Sequence, residues 1–153
     1  MSLDPALRSR QARREREREV FMLPLQLPVT LATTSAMAVL AVVLAARVGA
    51  ARGKYKINMG DGGNADLNCR IRTHANFVEY VPLLLVLMGL LELAGGNRTA
   101  LMYAGIALVI LRVLHAVGMP RPAPNPYRAT GAIGSLLLLL IGAVYGFVLV
   151  FNA

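Results

Sequence analysis

A chain of 153 residues that is 56% hydrophobic and 16% charged, with mean hydropathy +0.56, is too apolar for a soluble domain of this size, and it reads as one all-α integral membrane domain. The formal net charge of +8 argues for no nucleic-acid partner, because the basic residues sit in an N-terminal arm and beside apolar runs, without interleaved aromatics. The lone cysteine, Cys69, excludes an intrachain disulfide, provides no thiolate cluster for a metal, and reads as a structural residue near a helix start.

Residues 1–22 form a charged arm. In Arg14-Glu15-Arg16-Glu17-Arg18-Glu19 opposite charges can pair at helical spacing, so the arm reads as a solvated or membrane-surface helix, or as disordered. Met22 stands just before the hydrophobic part, and a start there makes the arm non-native. No secretory signal is evident, because the first apolar run has no small-residue cleavage site and continues into Arg47.

Residues 23–153 read as a four-helix transmembrane domain, with helices at about 27–46, 74–94, 99–119 and 128–151. The first run, Leu27 to Ala46, carries no charge and is about 30 Å long as a helix, enough to cross the hydrocarbon. Pro24 and Pro28 suit its first turn. A polar stretch from Arg47 to about Thr73 follows, with Gly60-Asp61-Gly62-Gly63 as a turn. The second span closes at Gly95-Gly96-Asn97, and Glu92 beside that turn is expected to reach the far interface. A proline-rich connection, residues 120–126, separates the third span from the fourth. Lipid offers backbone groups no partners, so these spans must be helical. Gly131, Gly134, Gly142 and Gly146 are expected to let the fourth helix pack closely on neighbouring subunits.

Threading up, down, up, down puts the long first loop and the proline loop on one side. That side carries eight lysines and arginines, and the N-terminal side carries seven. The positive-inside rule is therefore balanced with the arm present, and puts the long loop in the cytoplasm if translation starts at Met22.

Ionisable residues within a span mark function by default. Arg72, Asn76 and Glu79 fall on one stripe of the second helix at about 100° per residue, and Arg112 and His115 share a face of the third. Glu79 and Arg112 come to matching depth near the long-loop side, where Arg128 opens the fourth helix. Glu79 and Arg112 alone read equally as a structural ion pair. Three arginines nevertheless exceed the one nearby carboxylate, so an anionic partner is expected, and arginine grips carboxylates well. His74 lies off the stripe and reads as structural.

Gly60-Asp61-Gly62-Gly63, then Arg72-Thr-His74-Ala-Asn76-Phe-Val-Glu79-Tyr-Val-Pro82, then Arg112-Val-Leu-His115 resembles the MAPEG superfamily of membrane-associated proteins in eicosanoid and glutathione metabolism, most closely its bacterial inner-membrane branch. The resemblance runs from about Leu27 to the C-terminus. It implies a four-helix subunit in a homotrimer of a bacterial inner membrane, with glutathione as co-substrate between subunits near the cytoplasmic face and no metal. It implies that Arg72, Asn76, Glu79, Arg112 and His115 bind the tripeptide. Arg128 matches the arginine that some members use to hold the thiolate, which makes it the catalytic candidate. An apolar electrophile or lipid hydroperoxide would arrive through the bilayer. Some positions depart from the eicosanoid-type pattern. Ala75 replaces an arginine, Met119 and Ala132 replace tyrosines, and Ala129 replaces a serine, which argues against eicosanoid synthesis. The resulting expectation is a glutathione transferase or peroxidase. The alternatives are a non-catalytic binding or scaffold protein, and a small proton-coupled transporter built on Glu79, whose arginine neighbours would repel cations.

Overall fold

A computed structural model describes residues 26–152. The charged arm at residues 1–22, and with it the alternative start at Met22, lies outside the described residues. Four helices follow in order: α1 (Pro28–Tyr55), α2 (Ala65–Leu93), α3 (Arg98–Gly118) and α4 (Pro126–Phe151). Each is long and apolar enough to cross a membrane, so the chain is an all-α, four-helix membrane bundle. α1 packs on α2 and α3, and α4 packs on α3 and α2, while α1 and α4 do not meet. The core lies along the bundle axis around Met37, Phe77, Val81 and Leu108, with a second cluster of Val29, Met88, Leu91 and Leu101 toward the N-terminal side. Large apolar side chains such as Val42, Leu140 and Phe147 face outward, as lipid permits and water does not.

The first two helices exceed their apolar runs. α1 continues nine residues past Ala46, and α2 begins nine residues before the expected position 74. Hydropathy marks the lipid slab, whereas a helix ends where its terminal groups find other partners. Those partners sit in the short loop 56–64. Lys56 takes a left-handed conformation after α1. The Arg52 guanidinium donates to the carbonyls of Ile57, Asn58 and Gly60, at 3.3, 3.1 and 3.0 Å. Asn64 Oδ1 then accepts from Leu67 N–H at 2.9 Å and caps α2. Asp66 ties the two ends together, accepting from Tyr55 Oη and from Arg70 Nε, each at 3.0 Å.

α1 begins differently. Leu27, at its N-cap, has no side chain that can cap. Glu92, near the end of α2, supplies the acceptors instead. Its Oε1 accepts from Val29 N–H at 3.0 Å, and its Oε2 accepts from Thr30 N–H at 2.8 Å and Thr30 Oγ1 at 2.7 Å. Glu92 is therefore engaged with the start of α1, where an anion complements the positive end of a helix.

The glycines of α4 are also used within the chain. A Cβ on Gly131 would lie 2.6 Å from the backbone N of His115 and 2.6 Å from the carbonyl oxygen of Leu111, and one on Gly134 would lie 2.5 Å from the Leu111 side chain. Gly118, facing from α3, would meet the backbone N of Arg128 at 2.4 Å. Gly142 and Gly146 abut Leu87 and Leu91 of α2. These small residues bring α4 against α3 and α2 of its own chain. The close α3–α4 crossing holds Arg128 beside the end of α3.

Candidate functional site

The cleft between α2, α3 and the start of α4 lies on the long-loop side and measures about 410 Å³. Its lining includes Asn68, Cys69, Arg72 and Asn76 from α2, His115 and Met119 from the end of α3, and Arg128 from α4. Asn125 positions Arg128. Its Oδ1 accepts from Arg128 N–H at 3.3 Å, capping α4, and its Nδ2 donates to the Gly118 carbonyl at 3.0 Å. One side chain thus fixes both the end of α3 and the beginning of α4.

Arg112 lies next to this lining and is only 3% exposed. It donates from Nη2 to the Gly131 carbonyl at 2.6 Å and from Nη1 to Asn76 Oδ1 at 3.2 Å. Its Nε is buried and has no partner among the described residues. Among the described residues no carboxylate pairs with it; the ion pair present there is Arg70 with Asp66. A buried, permanently charged guanidinium held by two neutral oxygens lacks a counter-ion, which is costly at membrane depth. His115 is 5% exposed and lines the same cleft, and its imidazole makes no hydrogen bond among the described residues.

The structure thus gathers Arg72, Asn76, His115 and Arg128 around one space, with Arg112 bonded to Asn76. Glu79 is not among them. The α2 lining ends at Asn76, about one turn short of Glu79, and Glu79 is exposed on the outside of the bundle without hydrogen-bond or ion-pair partner among the described residues. The structural Glu79–Arg112 pair is not formed, because Asn76 and the Gly131 carbonyl take the guanidinium instead. His74 is half-buried and off the cleft.

Asn68 and Cys69 belong to the lining although nothing in their residue type marked them. Their spacing carried the signal. Ala65, Cys69, Arg72 and Asn76 continue one helical stripe toward the start of α2, and the apolar run gave no reason to extend α2 that far.

The cleft can hold a small anion by charge and by open hydrogen-bond donors, and its size falls in the usual range of about 300–1,000 Å³ for small-molecule sites. The MAPEG family profile matches residues 30–148 of the chain. Inner membrane protein YecN of Escherichia coli K12 is 39% identical over 67 residues, covering 44% of this chain and 51% of that protein. The protein of the same name in Escherichia coli O6:H1 matches to the same extent. The matched region spans about half the length of these curated relatives.

Proposed function

The chain belongs to the MAPEG family, and we propose that it is a glutathione-binding protein of a bacterial inner membrane, acting as a glutathione transferase or peroxidase on apolar electrophiles or lipid hydroperoxides. The observation that carries this reading is Arg112, a buried cation with one unsatisfied donor and no carboxylate partner among the described residues, next to a cleft lined by Arg72 and Arg128. Glutathione brings carboxylates for these arginines, and Asn76 and His115 offer further polar contacts. An electrophile dissolved in the bilayer reaches the cleft between helices. The long-loop side would then face the cytoplasm.

Glu79 suits the amine of the tripeptide, but within one chain it faces outward. A carboxylate turned toward acyl chains is costly. We propose that a neighbouring subunit covers it and that the ligand lies between subunits of a homotrimer. Native mass spectrometry in mild detergent should give the mass of three chains; a strictly monomeric mass contradicts the shared site.

Arg128 is assigned to the thiol rather than to anchoring. Its charge does not titrate near neutral pH, so it can stabilise a thiolate, which is the nucleophile. Bound glutathione should therefore show thiolate absorbance in the ultraviolet at neutral pH. Arg128→Ala should raise the thiol pKa and lower turnover at least tenfold, with affinity changed much less. Arg128→Lys should recover part of the turnover. Absent thiolate absorbance, or absorbance identical in the alanine variant, removes the catalytic assignment. It leaves the second reading, a non-catalytic glutathione binder. That reading has support of its own in Met119, whose thioether lines the cleft and provides no hydrogen-bond donor or proton for chemistry.

A further inference from the structure

We propose that the groove between α1 and α3, on the side of the membrane opposite the cleft, holds one acyl chain of an anionic phospholipid whose phosphate sits on Arg98. The groove measures about 370 Å³ and is lined by Ala32 and Ala36 of α1 and by Met102, Ile106 and Val109 of α3, with Arg98 at the end where α3 begins. Both helices start on this side, so the groove runs from the interface inward. From Arg98 to Val109 it follows eleven residues of α3, about 16 Å at the helical rise, and half of the hydrocarbon core is about 15 Å thick. The groove therefore has the length of one leaflet's acyl layer. Ala32, Ala36, Met102 and Ile106 are exposed, so no described residue covers it. Its one buried hydroxyl, on Thr33, donates to the Val29 carbonyl at 2.9 Å, which leaves the wall without a free donor.

Charge chooses the headgroup. Among the described residues Arg98 is the one lysine or arginine on this side, and Glu92 is the one acid. The Glu92 carboxylate is spent on three donors in the first turn of α1, and no ion pair joins it to Arg98. Arg98 is exposed, so its stem can lie along the apolar wall while its guanidinium meets the phosphate level. A guanidinium takes a phosphate through two parallel bonds. A second groove, among α2, α3 and α4, is larger at about 740 Å³. Its outer end carries neutral Asn97 and Tyr145, which are joined by the Asn97 N–H donating to Tyr145 Oη at 2.7 Å. That groove has no charge with which to select a headgroup, so the smaller one beside Arg98 is the selective site.

The test places the full-length protein in phosphatidylcholine nanodiscs. A trace of phosphatidylglycerol or of phosphatidylcholine is added, each with the same photoactivatable acyl chain. Cross-links mapped by peptide mass spectrometry should fall on the segments holding Ala32 and Ala36 and on those holding Met102 and Ile106. Phosphatidylglycerol should label them roughly fivefold more than phosphatidylcholine, the worth of one arginine against one anionic headgroup. Arg98→Gln should bring the two lipids level, and Arg98→Lys should keep most of the preference. Ala36→Phe, which fills the groove, should lower labelling by both lipids. Ala104→Phe, in the larger groove, should leave the preference at Arg98 in place. Arg98 and Ala36 are exposed, so thermal denaturation of these variants should match wild type. Equal labelling by the two lipids in wild type, or a preference that survives in Arg98→Gln, overturns the inference. So does labelling absent from the groove residues, which would mean that protein rather than lipid covers them. The groove lies at the opposite end of the bundle from the cleft, so none of these results bears on the glutathione reading.

Discussion

Arg112→Met should weaken glutathione binding by about ten- to a hundred-fold, the equivalent of losing one charge-assisted hydrogen bond worth roughly 1.5–3 kcal/mol. The same substitution should leave the ligand-free bundle at least as stable as wild type. Both halves follow from one arrangement. The guanidinium is buried, bonded to Asn76 Oδ1 and the Gly131 carbonyl, and without a carboxylate among the described residues. Replacing a buried, uncompensated charge by an apolar side chain of similar length removes a desolvation cost. The Gly131 carbonyl is not orphaned by the change, because Ser135 Oγ also donates to it, at 2.8 Å. Thermal denaturation with and without glutathione measures both effects. A variant that unfolds at markedly lower temperature without ligand would show that Arg112 is structural. One that keeps full affinity would show that the ligand does not use it. Arg112→Lys should not restore affinity, since a point charge cannot reproduce two bonds from one planar fork.

Glu92→Ala should destabilise the bundle by about 2–4 kcal/mol without changing glutathione affinity. Its carboxylate receives two backbone N–H groups and one hydroxyl from the first turn of α1. No side chain at Leu27 can take over. Removing the carboxylate leaves that helix end uncapped and frees the start of α1 from the end of α2. Glu92→Gln keeps one acceptor oxygen and should retain about half of the stability. Amide hydrogen exchange at Val29 and Thr30 should quicken in both variants, and more in the alanine. Wild-type denaturation and exchange in Glu92→Ala would show that α1 is held by something else. Affinity should be unaffected, because Glu92 lies at the opposite end of α2 from the cleft.

These two residues also mark what a sequence discloses. The four spans were legible because lipid demands long apolar helices and tolerates little else. The length of α1 and α2 was not, because Arg52, Asn64 and Asp66 tie their polar ends by contacts that hydropathy does not register. The bonds that Glu92 makes were not legible, since its partners lie 62 and 63 positions away in the chain. The α4 glycines marked a close approach without naming the partner; His115, Leu111, Leu87 and Leu91 of the same chain lie against them. Most of the cleft was legible from helical spacing, which brought Arg72 and Asn76 to one face and Arg112 and His115 to another. Cys69 was missed because the stripe was followed only as far back as Arg72. The depth match of Glu79 and Arg112 gave their level but not their rotation, and rotation leaves Glu79 outside.

Isothermal titration calorimetry of reduced glutathione into the detergent-purified protein tests the central claim most directly. The account predicts saturable binding that falls by at least tenfold in Arg112→Met. No binding heat from folded wild-type protein, together with no rise in its thermal midpoint when glutathione is added, would contradict it.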